Sequence, residues 1–231
     1  TKTGWKKWIS RISSQTQFNI IKSTASENAV EAYNPFYNPS LDSALQSYTN
    51  TIRNTLFYNR AFSRFSLEYT FNLNEVKNLL LNGFQSTGIQ AHILNIRWNI
   101  NTVYSILAGY ENGYDFSASD FLDSGNFRID FQSIEPEFRI QPNRYLRFGI
   151  KGALSFKSNP DPELEQKATI YSGGIESRFN SPDRGSFFVD VQVSGIDYSG
   201  PNNTPSQVSM LEALRPGFNL VWSANWQYNL N

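Results

Sequence analysis

The chain of 231 residues contains a single histidine, His92. A histidine that acts as a general base needs a nucleophile and an orienting carboxylate within hydrogen-bond reach. His92 instead precedes Leu94, Ile96 and Trp98 at a spacing of two residues, which places it on the apolar side of a strand. This phase predicts a polar group near a membrane interface. We expect no catalytic residues and no enzymatic activity.

Two acidic stretches raise the question of a metal site. Their members are Glu111, Asp115, Asp120 and Asp123 within residues 111–126, and Asp161, Glu163 and Glu165 within residues 161–165. Carboxylate oxygens suit Ca²⁺, but the spacing does not match an EF-hand loop. The chain has no cysteine, which excludes thiolate metal sites. We therefore expect solvated acidic loops, no metal and no cofactor.

A third polar set alternates with apolar residues and mixes both signs of charge. We expect it to face the lumen of a barrel and to form a charged network, and its members are Arg64, Glu68, Arg97, Arg128, Asp130, Glu137, Arg139, Arg147, Lys151, Glu176, Arg178 and Asp190. Alternating signs favour salt bridges between neighbouring strands, whereas a ring of one sign would indicate ion selectivity. A packed interior is therefore favoured over a selective channel, and both stay open.

The composition suits long strands with one apolar and one uncharged polar face. Charged residues make up 17% of the chain and aromatic residues 15%, whereas soluble domains usually contain roughly 25% charged residues. The 20 basic and 20 acidic residues balance, so we expect no nucleic-acid partner. No apolar run reaches the length of a membrane helix.

Alternation recurs along most of the chain, whereas helical periodicity is scarce. The clearest rows lie in residues 64–73, 94–100, 146–157, 187–193 and 217–231. Less regular candidates lie near residues 7–21, 51–59, 102–111, 126–140, 167–180 and 186–199. Gly173 and Gly174 lie within one of these and predict a kink or close packing. The segments together predict about ten strands.

Turn signals divide these strands into hairpins. Short turns are indicated near residues 60–63, 101–102, 141–144 and 181–185, and longer loops at 23–50, 74–88, 112–125, 158–166 and 200–216. Short turns at one end and long loops at the other are typical of an antiparallel up-and-down barrel in a membrane.

The apolar phase changes within residues 126–140. Apolar residues occupy odd positions up to Phe131 and even positions from Ile134 onward. One inserted residue produces such a shift, so we predict a β-bulge near Gln132–Ser133.

The apolar rows could face either membrane lipid or the interior of a soluble protein. A membrane barrel turns them to lipid, whereas a soluble barrel or sandwich turns them inward. Rows such as 64–73 and 218–230 match the about 9–11 residues that a tilted strand needs to cross a bilayer. We therefore favour the membrane barrel. Its lipid-facing side and aromatic belt would include Phe65, Tyr69, Trp98, Phe148, Trp222, Trp226 and Tyr228.

Four segments carry a family resemblance: RNTLFYNR (53–60), LLLNGFQS (79–86), SIEPEFRIQPN (133–143) and LEALRPGFNLVW (211–222). As an ordered set they resemble the C-terminal barrel region of large, mostly uncharacterised outer-membrane proteins of Bacteroidota. The resemblance implies an outer-membrane β-barrel and supplies no catalytic residues. It also implies a further strand pair after residue 231, so we expect residues 1–231 to be a single barrel domain within a longer chain.

The sequence therefore predicts an all-β transmembrane barrel in the outer membrane of a Gram-negative bacterium, with ten strands here and twelve as the alternative for the complete barrel. We expect an anchor or scaffold in an envelope assembly, with lipid and other envelope proteins as partners and loops 23–50, 74–88 and 200–216 as contact surfaces. A porin-like channel for small solutes and a soluble β-barrel that binds an apolar ligand are the alternatives.

Overall fold

The computed structural model describes residues 4–24, 45–60, 64–161, 164–181, 183, 185–212 and 214–228. The strands are β1 (Ile12–Thr24), β2 (Leu45–Tyr58), β3 (Phe65–Leu80), β4 (Gly83–Asn99), β5 (Tyr104–Ser119), β6 (Phe127–Ile140), β7 (Leu146–Ser158), β8 (Lys167–Ser181), β9 (Gly185–Ser199) and β10 (Gly217–Gln227). Helix α1 (Gly4–Ile9) precedes β1, a 3-10 helix (Asp123–Gly125) precedes β6, and helix α2 (Pro205–Met210) precedes β10.

The ten strands form one antiparallel sheet in chain order, from β1 to β10. The predicted all-β, up-and-down architecture with ten strands is confirmed. Within the described residues β1 does not pair with β10, so the sheet is open there. Among those same residues, no helix has the length and apolar character needed to cross a bilayer.

Four predicted boundaries are wrong. Residues 74–88 are not a loop, because β3 and β4 continue to a two-residue turn at Leu81–Asn82. The predicted loop 112–125 belongs to β5 as far as Ser119. The first residues of the candidate strand 7–21 lie in α1. In the first two cases the strand pairing continues through segments in which apolar and polar residues do not alternate regularly. The described ends of the predicted loop 23–50 belong to β1 as far as Thr24 and to β2 from Leu45, while residues 25–44 and 61–63 lie outside the described residues.

The predicted β-bulge near Gln132–Ser133 is also wrong. The register between β5 and β6 runs without a shift from the Tyr104–Ile140 pair to the Ser117–Phe127 pair. The apolar residues of β6 therefore change face along the strand. Ile134 is 51% exposed, whereas Ile129 is 1% exposed on the opposite face.

The sheet has one apolar and one polar face. Side chains of directly paired residues share a face, and the register joins Trp98, Ile106, Phe138, Ile150, Ile175, Val191 and Trp222 in one row. Most large exposed apolar side chains lie on this face. The adjacent row contains Arg97, Glu137, Lys151 and Gln192.

The polar face is concave. Helix α2 contributes Met210 to a buried cluster with Ile129 of β6, Ala168 of β8 and Ile196 of β9. Five flat strands would span roughly 19 Å, whereas a helix of six residues is only about 9 Å long. Helix α2 reaches β5 through the Ser209–Asp115 hydrogen bond and β9 through Met210 and Ile196, so contact from β5 to β9 requires the sheet to curl around it.

Glycines allow close contacts between strands at several points. A side chain at Gly195 of β9 would collide with the ring of Tyr171, its partner on β8. Phe116 of β5 covers Gly88 of β4 in the same way. A Cβ atom at Gly174 would lie 2.9 Å from the Val191 carbonyl oxygen, which confirms the close packing predicted there. Aromatic side chains over such glycines fix the strand register.

The change of face within β6 can be tested with a matched pair of substitutions. Ile129→Ala should lower the free energy of unfolding by about 2–4 kcal/mol, because it leaves a cavity against α2. Ile134→Ala on the other face should cost less, because solvent or lipid fills the space. Urea unfolding of the folded protein measures both changes. Equal losses would contradict the register.

Candidate functional site on the polar face

Ion pairs on the concave polar face converge on Glu176 of β8. Its Oε1 accepts a hydrogen bond from Arg147 Nη2 at 2.6 Å, and its Oε2 lies 2.5 Å from Lys151 Nζ. Lys151 also lies 3.8 Å from Asp190 of β9. The Glu176 side chain is only 9% exposed. Strands β7, β8 and β9 are therefore tied together by two carboxylates and two cations.

A second pair lies next to this cluster. Arg139 donates from Nε and Nη2 to the two carboxylate oxygens of Glu137, at 2.9 and 3.0 Å. A Cβ atom at Gly149 would lie 3.2 Å from Glu137 Oε1 and 3.6 Å from Glu176 Cβ. Gly149 therefore leaves room for the Glu137 carboxylate and for the Glu176 side chain. The two hydrogen bonds between Arg139 and Glu137 fix the relative orientation of these side chains.

Other members of the predicted network share the face without joining this cluster. Glu68, Arg97 and Glu137 line a cavity of about 610 Å³. Neither Glu68 nor Arg97 forms an ion pair with the residues that the structure describes. Arg178 lies 5.1 Å from the centre of the Phe188 ring, and Arg64 directly precedes β3. The network is thus concentrated on β6–β9.

Arg128 and Asp130 were predicted to face the lumen, and the register places them on the apolar face instead. They pair with Phe116 and Tyr114 of β5, and Arg128 Nε lies 2.9 Å from Asp130 Oδ1. The prediction was wrong because it assumed a bulge in β6. Without the bulge, these residues share a face with Ile134.

The predicted aromatic side chains share the apolar face. Phe65 pairs with Trp98, and Tyr69 lies four residues further along the same face of β3. Phe148, Trp222 and Trp226 occupy this face on β7 and β10, and Tyr228 follows β10 in the same phase. Trp222, Trp226 and Tyr228 are all exposed. That this face contacts lipid stays a prediction.

His92 lies on the apolar face, as its phase predicts. Its Nδ1 is 2.7 Å from the hydroxyl oxygen of Tyr69, and its ring centre lies 5.2 Å from that of Phe71. The hydrogen bond satisfies one ring nitrogen within an aromatic cluster. That His92 lies near a membrane interface stays a prediction.

The chain between β9 and β10 folds over the long-loop end of the polar face. Ser209 donates to Asp115 of β5 at 2.9 Å, and Lys157 of β7 donates to Glu212 at 2.5 Å. We call this segment, residues 200–216, the inserted loop. Beneath the inserted loop lies a cavity of about 450 Å³, which is lined in part by Glu111, Asp115 and Lys157.

Gln166 fixes the inserted loop to the connection between β7 and β8. Its side chain is fully buried, donates to Thr204 Oγ1 at 2.8 Å and accepts from Ser206 at 2.6 Å. Asn159 donates to it at 3.0 Å. Every polar atom of the buried amide therefore has a partner, as buried polar groups require.

The sequence predicted a loop at residues 200–216, but the helix within it was missed, although its signal was present. The residues TPSQ (204–207) place Thr at the N-cap, Pro at the first helical position and Gln at the third. This pattern is a helix-start signal, and Thr204 Oγ1 accepts a hydrogen bond from the Gln207 amide at 3.1 Å. Six residues were too few to show helical periodicity.

Two acidic residues of the predicted loops have structural partners. Asp115 accepts from Ser209, and Asp120 accepts from the Phe84 amide at 3.0 Å beside the turn of the β3–β4 hairpin. The described residues contain no group of three or more metal-ligating side chains.

Comparison of the chain with protein-family models, curated proteins and solved structures gave no match.

Because Glu176 pairs with two cations, removing its charge should destabilise the protein more than removing the charge of an exposed glutamate on the same face. Glu176→Gln keeps the shape of the side chain but leaves Arg147 and Lys151 without their counter-charge. It should lower the free energy of unfolding by about 1–3 kcal/mol. Glu135→Gln removes the same charge from an exposed position on the same face and should have little effect. Denaturant unfolding of both variants measures the difference, and equal stabilities would argue against the network.

Proposed function

We propose that the protein is an integral β-barrel of a Gram-negative outer membrane that acts as an anchor or scaffold in an envelope assembly. One observation carries this proposal: helix α2 packs against the concave polar face, whereas the large apolar side chains of the opposite face are exposed among the residues that the structure describes. Contiguous exposed apolar surface of this extent is typical of a membrane or partner interface. The resemblance of four segments to Bacteroidota outer-membrane proteins supports the same location.

The placement of the apolar face argues against a soluble barrel. Such a barrel would turn its large apolar rows towards an interior ligand. Here the concave side carries Glu137, Lys151 and Glu176, while Trp222 and Trp226 lie on the other side. The proposed membrane barrel therefore accounts for both faces with one arrangement.

The contents of the polar face favour a scaffold over an open pore. Salt bridges tie β7 to β9, and the inserted loop covers the long-loop end from β5 to β9. Interiors of small barrels are generally filled by side chains. Both features reduce the space through which a solute could pass.

The β3–β4 hairpin supplies a surface for partner contacts. These strands contain 16 and 17 residues, about six more than a bilayer requires. At 3.3 Å per residue the excess is roughly 20 Å of hairpin beyond the membrane. Its tip exposes Leu79, Leu80 and Leu81. Three exposed leucines outside lipid suit contact with another envelope protein.

Planar-bilayer recordings of the full-length protein test the scaffold against the channel. We expect no conductance steps from the unmodified protein, because the inserted loop occupies the polar face. Glu212→Lys places a cation against Lys157 and should release the loop, which would produce brief openings. Asp183→Lys makes the same charge change in the turn between β8 and β9 and should remain silent. Stable steps from the unmodified protein would instead support the porin-like alternative.

A further inference from the structure

The apolar face of β4–β8 becomes polar towards its long-loop end. The register defines three successive rows across these strands. The first is apolar and contains Leu94, Tyr110, Ile134, Leu154 and Tyr171. The next contains His92, Asn112, Gln132, Phe156 and Thr169, and the third contains Gln90, Tyr114, Asp130, Ser158 and Lys167. Arg128 lies one step beyond, on β6.

These polar residues line a groove of about 620 Å³. Arg128, Gln132 and Lys167 are exposed along it, whereas Asn112 and Tyr114 are half-buried. Lys167 lies two strands from Asp130, which corresponds to about 10 Å. We call this feature the outer groove.

One side of the outer groove is held in place by contacts among its own residues. Tyr114 donates to Gln90 Oε1 at 3.1 Å, and the Arg128 guanidinium lies 4.0 Å from the centre of the Tyr114 ring. Arg128 Nε donates to Asp130 at 2.9 Å. In the part of the chain that the structure describes, Arg128 forms an ion pair with Asp130 alone, and the ammonium group of Lys167 has no ion-pair partner.

The groups of the outer groove match a ligand that combines sugar and phosphate. The side-chain amides and the Asp130 carboxylate supply the mixed donors and acceptors that sugar hydroxyls need. Arg128 and Lys167 suit phosphate oxygens, which accept strong charge-assisted hydrogen bonds. The groove continues directly into the apolar row of Leu94 and Ile134, so a ligand with acyl chains could occupy both surfaces.

We propose that the outer groove binds the headgroup of a phosphorylated glycolipid, with the acyl chains lying along the apolar face below it. This inference rests on the proposed function, because it takes the apolar face to be the lipid-facing side. A general attraction to anionic lipid would need only Arg128 and Lys167. The amides of Asn112 and Gln132 distinguish a sugar-bearing headgroup.

Binding of a fluorescent bisphosphorylated glucosamine-disaccharide lipid to the full-length protein in mixed micelles tests this proposal. The unmodified protein should bind this probe at least about tenfold more tightly than phosphatidylglycerol. The double variant Arg128→Gln/Lys167→Gln should lose at least about tenfold in affinity, because two charge-assisted contacts disappear. Gln132→Ala should weaken binding of the probe and leave binding of phosphatidylglycerol unchanged.

A matched control removes the same two residue types elsewhere. Lys77→Gln/Arg144→Gln acts on β3 and on the turn before β7, and it should keep the affinity within about twofold. Equal affinity for both lipids, or equal losses in both double variants, would overturn the proposal. Failure of the proposed function has a separate readout, because a chain that stays soluble without detergent is not a membrane barrel.

Discussion

The exposed apolar face of the sheet is the constraint on which the other features depend. Side chains such as Ile150, Val191 and Trp222 lie in one row across the strands and are exposed among the described residues. In water this surface would drive association, whereas in lipid it is satisfied without a partner. A lipid environment in turn requires that charged groups collect on the other face. The salt-bridged cluster around Glu176 is therefore a consequence of where the apolar residues point.

The polar groups of the opposite face must then find partners on that face. Glu176 engages two cations at the middle of β8, while Gln166 and Asp115 bind the inserted loop at one end. Between them, β6 turns Ile129 inward to pack on Met210. Ion pairs and an apolar cluster both lie on the polar face, so the contacts on this face help to stabilise the fold. This arrangement underlies the proposal of a scaffold whose interior is filled.

The sequence predicted the faces well because a period of two follows from strand geometry alone. It placed Trp222 and Trp226 on one face and Lys151 and Glu176 on the other. It failed where both faces are polar, as beyond Leu73 in β3, because no row marks the ladder there. It also assigned Arg128 to the wrong face. Ile129 lies on the polar face because it packs on α2, and in the sequence this change of phase looks the same as a β-bulge. Contacts between distant segments, such as Ser209 with Asp115, leave no local signal.

A spin-label scan of residues 186–194 in a reconstituted bilayer tests most directly whether the apolar face meets lipid. Labels at Phe187, Val189, Val191 and Val193 should be accessible to oxygen dissolved in the bilayer and shielded from a water-soluble nickel complex. Labels at the even positions between them, including Gln192, should lack this lipid signature. The account predicts a strict period of two along β9. Equal accessibility at Val191 and Gln192, or the reverse parity, would contradict it.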